Sequence, residues 1–120
     1  MSDLTTSSEL VPKARKEGTA VILSLRGEID MHNCPEVRSE VLGLIDRNKP
    51  AKLVMNLDQV PYMDSSAIAV LVEALQRLRP TGGRVMLVDL QPRVKGLLQI
   101  ARLDSIFFLA DSEQQALAQK

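Results

Sequence analysis

Tryptophan is absent, and Tyr62, Phe107 and Phe108 are the only aromatic residues among 120. A core built without large rings has to be aliphatic, and a hydrophobic content of 45% supplies enough Val, Leu, Ile, Met and Ala for one. A single cysteine, Cys34, excludes an internal disulfide and fits a reducing compartment. A single histidine, His32, leaves no material for a multi-histidine metal site or a conventional catalytic triad. Neither sign of charge is in excess, with Lys plus Arg at 15 and Asp plus Glu at 15. That balance gives no long-range pull toward nucleic-acid phosphates or anionic lipid. No run approaches the roughly 20 apolar residues that span a bilayer. The polar start of the chain lacks the basic-then-apolar layout of a secretory leader. Gly82-Gly83 is too short to cradle a phosphate and reads as a turn. These absences predict a cytoplasmic protein with no nucleic-acid partner, no membrane insertion, no metal, no cofactor and no catalytic machinery of its own.

What is present is an alternation of two periods. Residues 1–8 are rich in Ser and Thr and are expected to fray as a flexible N-terminus. A weak strand is expected over 10–16, with Pro12 pointing to an edge, then a turn at Glu17-Gly18 and a strong strand over 20–25. A helix should open near Pro35, capped by Asn33 or Cys34, with Val37, Val41, Leu44 and Ile45 on one face and Asn48-Lys49-Pro50 as its stop. Residues 53–57 read as a buried strand, and a second helix starts around Ser65, with Ile68, Leu71, Val72, Leu75 and Leu78 as its apolar stripe. A strand over 85–88 and a helix from Pro92 follow, the latter with Val94, Leu97, Leu98 and Ala101 on one face. A short strand over 106–109 and a last helix opening at Asp111 or Ser112 in a capping-box pattern complete the chain. Strands alternating with helices predict a single α/β domain over 9–120: a mixed sheet of about five strands, antiparallel in the first hairpin and parallel later, flanked by four helices.

The informative stretch is Val60-Pro61-Tyr62-Met63-Asp64-Ser65-Ser66-Ala67, where a buried strand gives way to an amphipathic helix. Taken alone, Asp-Ser-Ser reads as a helix cap, with Asp64 or Ser65 in the capping position. Two features add to that. The hydroxyls lie at the rim of a strand-to-helix junction, within reach of a partner. Amides at a helix start and the helix dipole also favour an anion there. A phosphoserine brings about −1.5 to −2 charges and three acceptor oxygens. On a contact surface beside Asp64, such a group would spare the fold and repel an acidic or apolar partner.

Gly27-Glu28-Ile29-Asp30, Asn56-Leu57-Asp58 and Met63-Asp64-Ser65-Ser66, in that order, resemble the anti-sigma factor antagonists of the STAS domain family. The Gly82-Gly83 turn, the Pro92-Arg93-Val94 helix start and the Ser112-Glu113-Gln114-Gln115-Ala116-Leu117 tail are similar too, so the likeness runs from about residue 9 to the C-terminus. The resemblance implies a STAS fold and a phosphoprotein that works by partner switching in bacterial transcription. The unphosphorylated form would bind an anti-sigma factor that is also a serine kinase, and free the sigma factor. Phosphorylation would release the complex, and a metal-dependent serine phosphatase would reset it. By position the phosphoacceptor is Ser65, with Ser66 as the alternative, and Asp30 and Asp64 match acidic positions at the partner-facing end. Ala67 stands where the family usually has glycine, so a partner packing closely there would meet an added methyl group. The alternative role for the same fold is a STAS subunit of a lipid-transport or stress-sensing complex.

Tyr62 reads either as an aromatic anchor for a partner or as packing over the sheet end. His32 reads as an exposed loop residue before it reads as a contact or pH-sensitive group, and Cys34 as a small apolar residue before a redox sensor. Arg77, Arg79 and Arg84 straddle a turn and read as a solvated helix end rather than an anion site.

Overall fold

The computed structural model describes residues 2–119. Six strands form one sheet: β1 (Ser2–Asp3), β2 (Lys13–Glu17), β3 (Ala20–Arg26), β4 (Lys52–Gln59), β5 (Arg84–Val88) and β6 (Phe108–Ala110), lying side by side in chain order. The β1–β2 and β2–β3 pairs are antiparallel and the remaining three are parallel. The helices α1 (Cys34–Asn48), α2 (Ser65–Leu78), α3 (Pro92–Ile100) and α4 (Glu113–Ala118) sit in the connections after β3, β4, β5 and β6. Parallel neighbours need crossovers of this kind, whereas the Glu17-Gly18 turn suffices for the antiparallel hairpin.

Leu53, Val54 and Met55 in β4 are all fully buried, which requires cover on both faces of the sheet. Their alternation separates two cores. Val21, Leu23, Leu53, Met55, Leu57, Val85 and Leu87 join Val37, Val41, Leu71, Ala74 and Leu98 in the larger one, beneath α1, α2 and α3. Ile22, Val54, Met86 and Val88 join Ala116 in the smaller one, under α4. The buried stripe of α2 is Ala67, Val70, Leu71, Ala74 and Leu78, and Ile68, Val72 and Leu75 flank it half-buried. Arg38 and Glu73 pair through two hydrogen bonds of 2.7 and 2.6 Å, and Arg77 pairs with Asp46 at 2.8 Å, so α1 and α2 are also laced along their outer surface.

The sheet has one strand more than expected. Ser2–Asp3 pairs with Arg15 and Lys16 on β2, which therefore lies inside the sheet and not at its edge. Residues 7 and 8, expected to fray, are placed on α1, where the hydroxyls of Ser7 and Ser8 donate to Glu40 and Glu36. The weak strand begins at Lys13 instead of residue 10, after the Val11 N–H has turned back to the Ser8 carbonyl. The final strand starts two residues later than expected, because Ile106 and Phe107 donate to the Leu103 carbonyl in a turn. α3 ends at Ile100, which leaves Ala101 exposed beyond its apolar face. α1 stops at Lys49, whose φ of 44° puts it in the left-handed region while its N–H bonds the Ile45 carbonyl at 2.7 Å. In α4, the Ser112 hydroxyl accepts from Gln115 N–H at 3.1 Å and the Gln115 side chain accepts from Asp111 N–H at 2.7 Å. Among the described residues no helix is long and apolar enough to cross a membrane.

Candidate functional site: two helix starts joined at Asp64

Two connections leave the same end of the sheet and run side by side. After β3 the chain turns at Gly27, whose φ of +90° is open to glycine and strained for other residues, and whose N–H bonds the Gln59 carbonyl at 2.9 Å. That turn delivers Ile29 beside Met63 of the β4–α2 connection. The two form a parallel bridge, with Ile29 N–H donating to the Tyr62 carbonyl and Asp64 N–H to the Ile29 carbonyl, both at 3.1 Å. Both bridge residues are buried, so the next residue of each connection emerges at the surface, Asp64 at the start of α2 and Asp30 in the turn before α1.

Asp64 caps α2. Its Oδ1 accepts from the N–H groups of Ser66 at 2.9 Å and Ala67 at 3.3 Å and from the Ser66 hydroxyl. Its Oδ2 accepts from Met31 N–H at 3.0 Å, across the junction. The Ser66 hydroxyl, helped by the Ala67, Ser66 and Met31 amides, holds the Asp64 carboxyl below its ordinary range. The amides at positions two and three of the helix are thus already occupied, where the sequence suggested free donors for an incoming anion.

Asp30 closes the turn that leads into α1. Its Oδ1 accepts from His32 N–H at 2.9 Å and Asn33 N–H at 3.2 Å, while Asn33 Oδ1 accepts from Asp30 N–H at 2.9 Å. These reciprocal bonds precede α1, whose N-cap is Asn33 as expected; the Asn33 side chain bonds back to Asp30 N–H and makes no cap bond to the helix amides. Pro35 lies in the first turn of α1, where the sequence placed it.

Ser65, first residue of α2, is exposed, and its hydroxyl has no hydrogen-bond partner among the described residues. Ser66 is half-buried with its hydroxyl committed to Asp64. Ala67 is only 4% exposed and belongs to the larger core, so its methyl group faces inward. Tyr62 is half-buried at the sheet end, with the Arg93 guanidinium 4.8 Å from its ring centre. Packing and surface display therefore coexist in Tyr62. No spacing rule joins Arg93, at the start of α3, to residue 62, so the contact has no local signal in the sequence.

Between α1 and α2, beside Ser66, lies an open groove of about 390 Å³ lined by Met31, Pro35, Ala69 and Val70, with the Arg38–Glu73 pair at its rim. Met31 is 68% exposed at its mouth. Cys34 also lines the groove; burial pushes its thiol up, Asp64 and Asp30 push it the same way, and a hydrogen bond with Ser66 opposes them. His32 is exposed and touches the site through its backbone. Arg77 is tied to Asp46 and Glu73.

A family model described as the STAS domain matches residues 11–116. An anti-sigma F factor antagonist of Paenibacillus polymyxa is 30% identical over 99 residues, which cover 82% of this chain and 85% of that protein. A crystal structure of a putative anti-sigma factor antagonist from Thermotoga maritima superposes with a TM-score of 0.81 at 24% identity, over 87% of this chain and 89% of that one. SpoIIAA, a Bacillus cell fate determinant and anti-sigma factor antagonist, superposes at 0.74 in its unphosphorylated form, at 23% identity over 87% of this chain and 90% of that one. Its phosphorylated form superposes at 0.67, at 22% identity over 87% and 94%.

Proposed function

From the premise that the chain belongs to the STAS domain family, we propose that it is an anti-sigma factor antagonist that switches partners through phosphorylation of Ser65. The unmodified protein binds an anti-sigma factor with serine-kinase activity and so frees a sigma factor. The kinase then transfers a phosphoryl group: Ser65 Oγ bonds to the γ-phosphorus of ATP, the bond to the ADP oxygen breaks, and the hydroxyl proton passes to a base of the kinase. A metal-dependent serine phosphatase hydrolyses the ester and restores the antagonist. In this reading the chain is a regulatory substrate and not itself an enzyme.

The observation that carries the reading is the contrast between the two adjacent serines. Ser65 offers an exposed, unengaged hydroxyl, while Ser66 is half-buried and donates to Asp64. Of the two, only Ser65 can be taken by an incoming kinase without first dismantling the helix cap. Asp30, Asp64 and Tyr62 surround it at the same end of the sheet and form the edge of the partner face, which continues into the α1–α2 groove. Ser66 and Ala67 support that face from beneath.

Affinity capture from an extract of the source bacterium tests this. The expected catch is an ATP-binding anti-sigma kinase that leaves the beads when ATP is added. A transporter ATPase or a large stress-sensing assembly, retained regardless of ATP, would instead support the alternative role.

A further inference from the structure

We propose that Ser66 is a positioning residue: with Asp64 it forms a latch joining the N-termini of α1 and α2, and a phosphate on Ser65 is transmitted through that latch to Met31. This rests on the reading of Ser65 as the phosphoacceptor and adds how the rest of the face is informed of the modification.

One carboxylate serves α2 and the turn that leads into α1. Asp64 Oδ1 takes the Ser66 and Ala67 amides and the Ser66 hydroxyl, so its orientation is fixed from three directions. Only in that orientation does Oδ2 point across the junction to Met31 N–H, 3.0 Å away. The Met31 amide has no other acceptor among the described residues. The Ile29–Met63 bridge holds the two connections in register behind the latch but stops one residue short of it on each side. The position of Met31 therefore depends on Asp64, and the aim of Asp64 depends on Ser66.

A phosphate on Ser65 lands beside this arrangement. Its oxygens are strong acceptors carrying up to about two charges. The amides of Ser66 and Ala67, the natural donors for it, are held by Asp64. Asp30 adds a second carboxylate at the same end, and its charge and that of Asp64 both act on the Cys34 thiol between them. The dianion thus competes with Asp64 for the same donors while repelling it. Asp64 turns away, Met31 N–H loses its acceptor, and Met31, at the mouth of the α1–α2 groove, is released. Charge at one residue is thereby converted into a changed apolar surface on the turn that leads into α1.

The test reads exchange of the Met31 amide proton with water by NMR, in full-length protein carrying phosphoserine installed at position 65 during translation, so no kinase is needed. Unmodified protein, Ser66→Ala and Ser66→Thr complete the set, and the Val54 amide in the buried centre of β4 reports on global loosening. The expected result is exchange at Met31 faster by roughly fivefold or more with phosphoserine and in Ser66→Ala, with Val54 unchanged, because loss of one local hydrogen bond opens only its own neighbourhood. Ser66→Thr, which keeps the hydroxyl, should match the wild type. Unchanged exchange at Met31 with phosphoserine refutes the latch, as does equal acceleration at Met31 and Val54. If no kinase modifies Ser65 in the bacterium but installed phosphoserine frees Met31, the functional reading fails while the latch stands.

Discussion

Replacing Ser65 with aspartate should weaken binding to the anti-sigma kinase about 10- to 100-fold, and a phosphate at the same oxygen should weaken it about 100- to 1,000-fold. Ser65 is exposed and makes no internal hydrogen bond, so a charge placed there gains nothing from the fold that would offset its desolvation in a complex. The two amides best placed to receive it are already used by Asp64. Leaving a charge buried and unpaired in an interface costs about 2–5 kcal/mol, and each 1.4 kcal/mol is tenfold in affinity. A carboxylate at the rim of the contact should fall at or below the low end of that range, and a phosphate, with up to about two charges, toward the middle. Ser65→Ala removes a hydroxyl that has no partner and should bind within about threefold of wild type, as expected for a surface position. Isothermal titration of the kinase with the three variants reads these differences directly. Aspartate at 65 binding as tightly as serine would refute the repulsion reasoning. A large loss in Ser65→Ala would do so too, by showing that the hydroxyl is itself a required contact.

Other expectations concern the frame around the switch. Asp64→Asn should lower thermal stability at neutral pH, and that deficit should shrink as the pH is lowered. The folded carboxyl titrates below its ordinary value, so its contribution is complete above the unfolded aspartate value of about 3.9 and is lost as pH falls through the depressed folded value. Melting curves of both proteins across the acid range check this, and a deficit independent of pH would contradict it. Gly27→Ala, at φ +90°, should cost about 1–3 kcal/mol in urea unfolding. It should also shift the amide signals of Ile29 and Met63, and wild-type stability in this variant would show that the turn tolerates a side chain. Leu71→Ala, 2% exposed in α2, should cost about 2–5 kcal/mol, whereas Met31→Ala, 68% exposed, should stay within about 0.5 kcal/mol. Equal losses in the two would mean that the α1–α2 packing is misassigned.

The helices and the central strands were legible because their periods are strong. Leu53 to Leu57 form the buried strand that their apolar run announced. α2 was placed by its spacing, but its buried stripe runs through Ala67, Val70, Leu71, Ala74 and Leu78, with the expected Ile68, Val72 and Leu75 at its flank. The edges were harder. β1 consists of a serine and an aspartate, with no apolar alternation to announce it, and it exists through backbone pairing to β2. Phe107 and Phe108 suggested an earlier final strand, but Phe107 belongs to the turn that carries the chain into the larger core. At the site, the resemblance to antagonists picked out Asp30, Asp64 and Ser65 as neighbours in function. The cap at Asp64 was legible from Asp-Ser-Ser, but nothing in the sequence showed that its carboxylate also takes an amide from the turn before α1. Such a contact joins residues 33 apart in the chain, and local spacing rules do not reach that far.

The most direct test of the switch is to incubate the protein with ATP and its anti-sigma kinase and map the phosphate by mass spectrometry. One phosphate per chain on Ser65, and none in Ser65→Ala although Ser66 is intact, is the predicted result. Stoichiometric phosphate retained in Ser65→Ala would contradict it, because the acceptor would then be Ser66 or another hydroxyl.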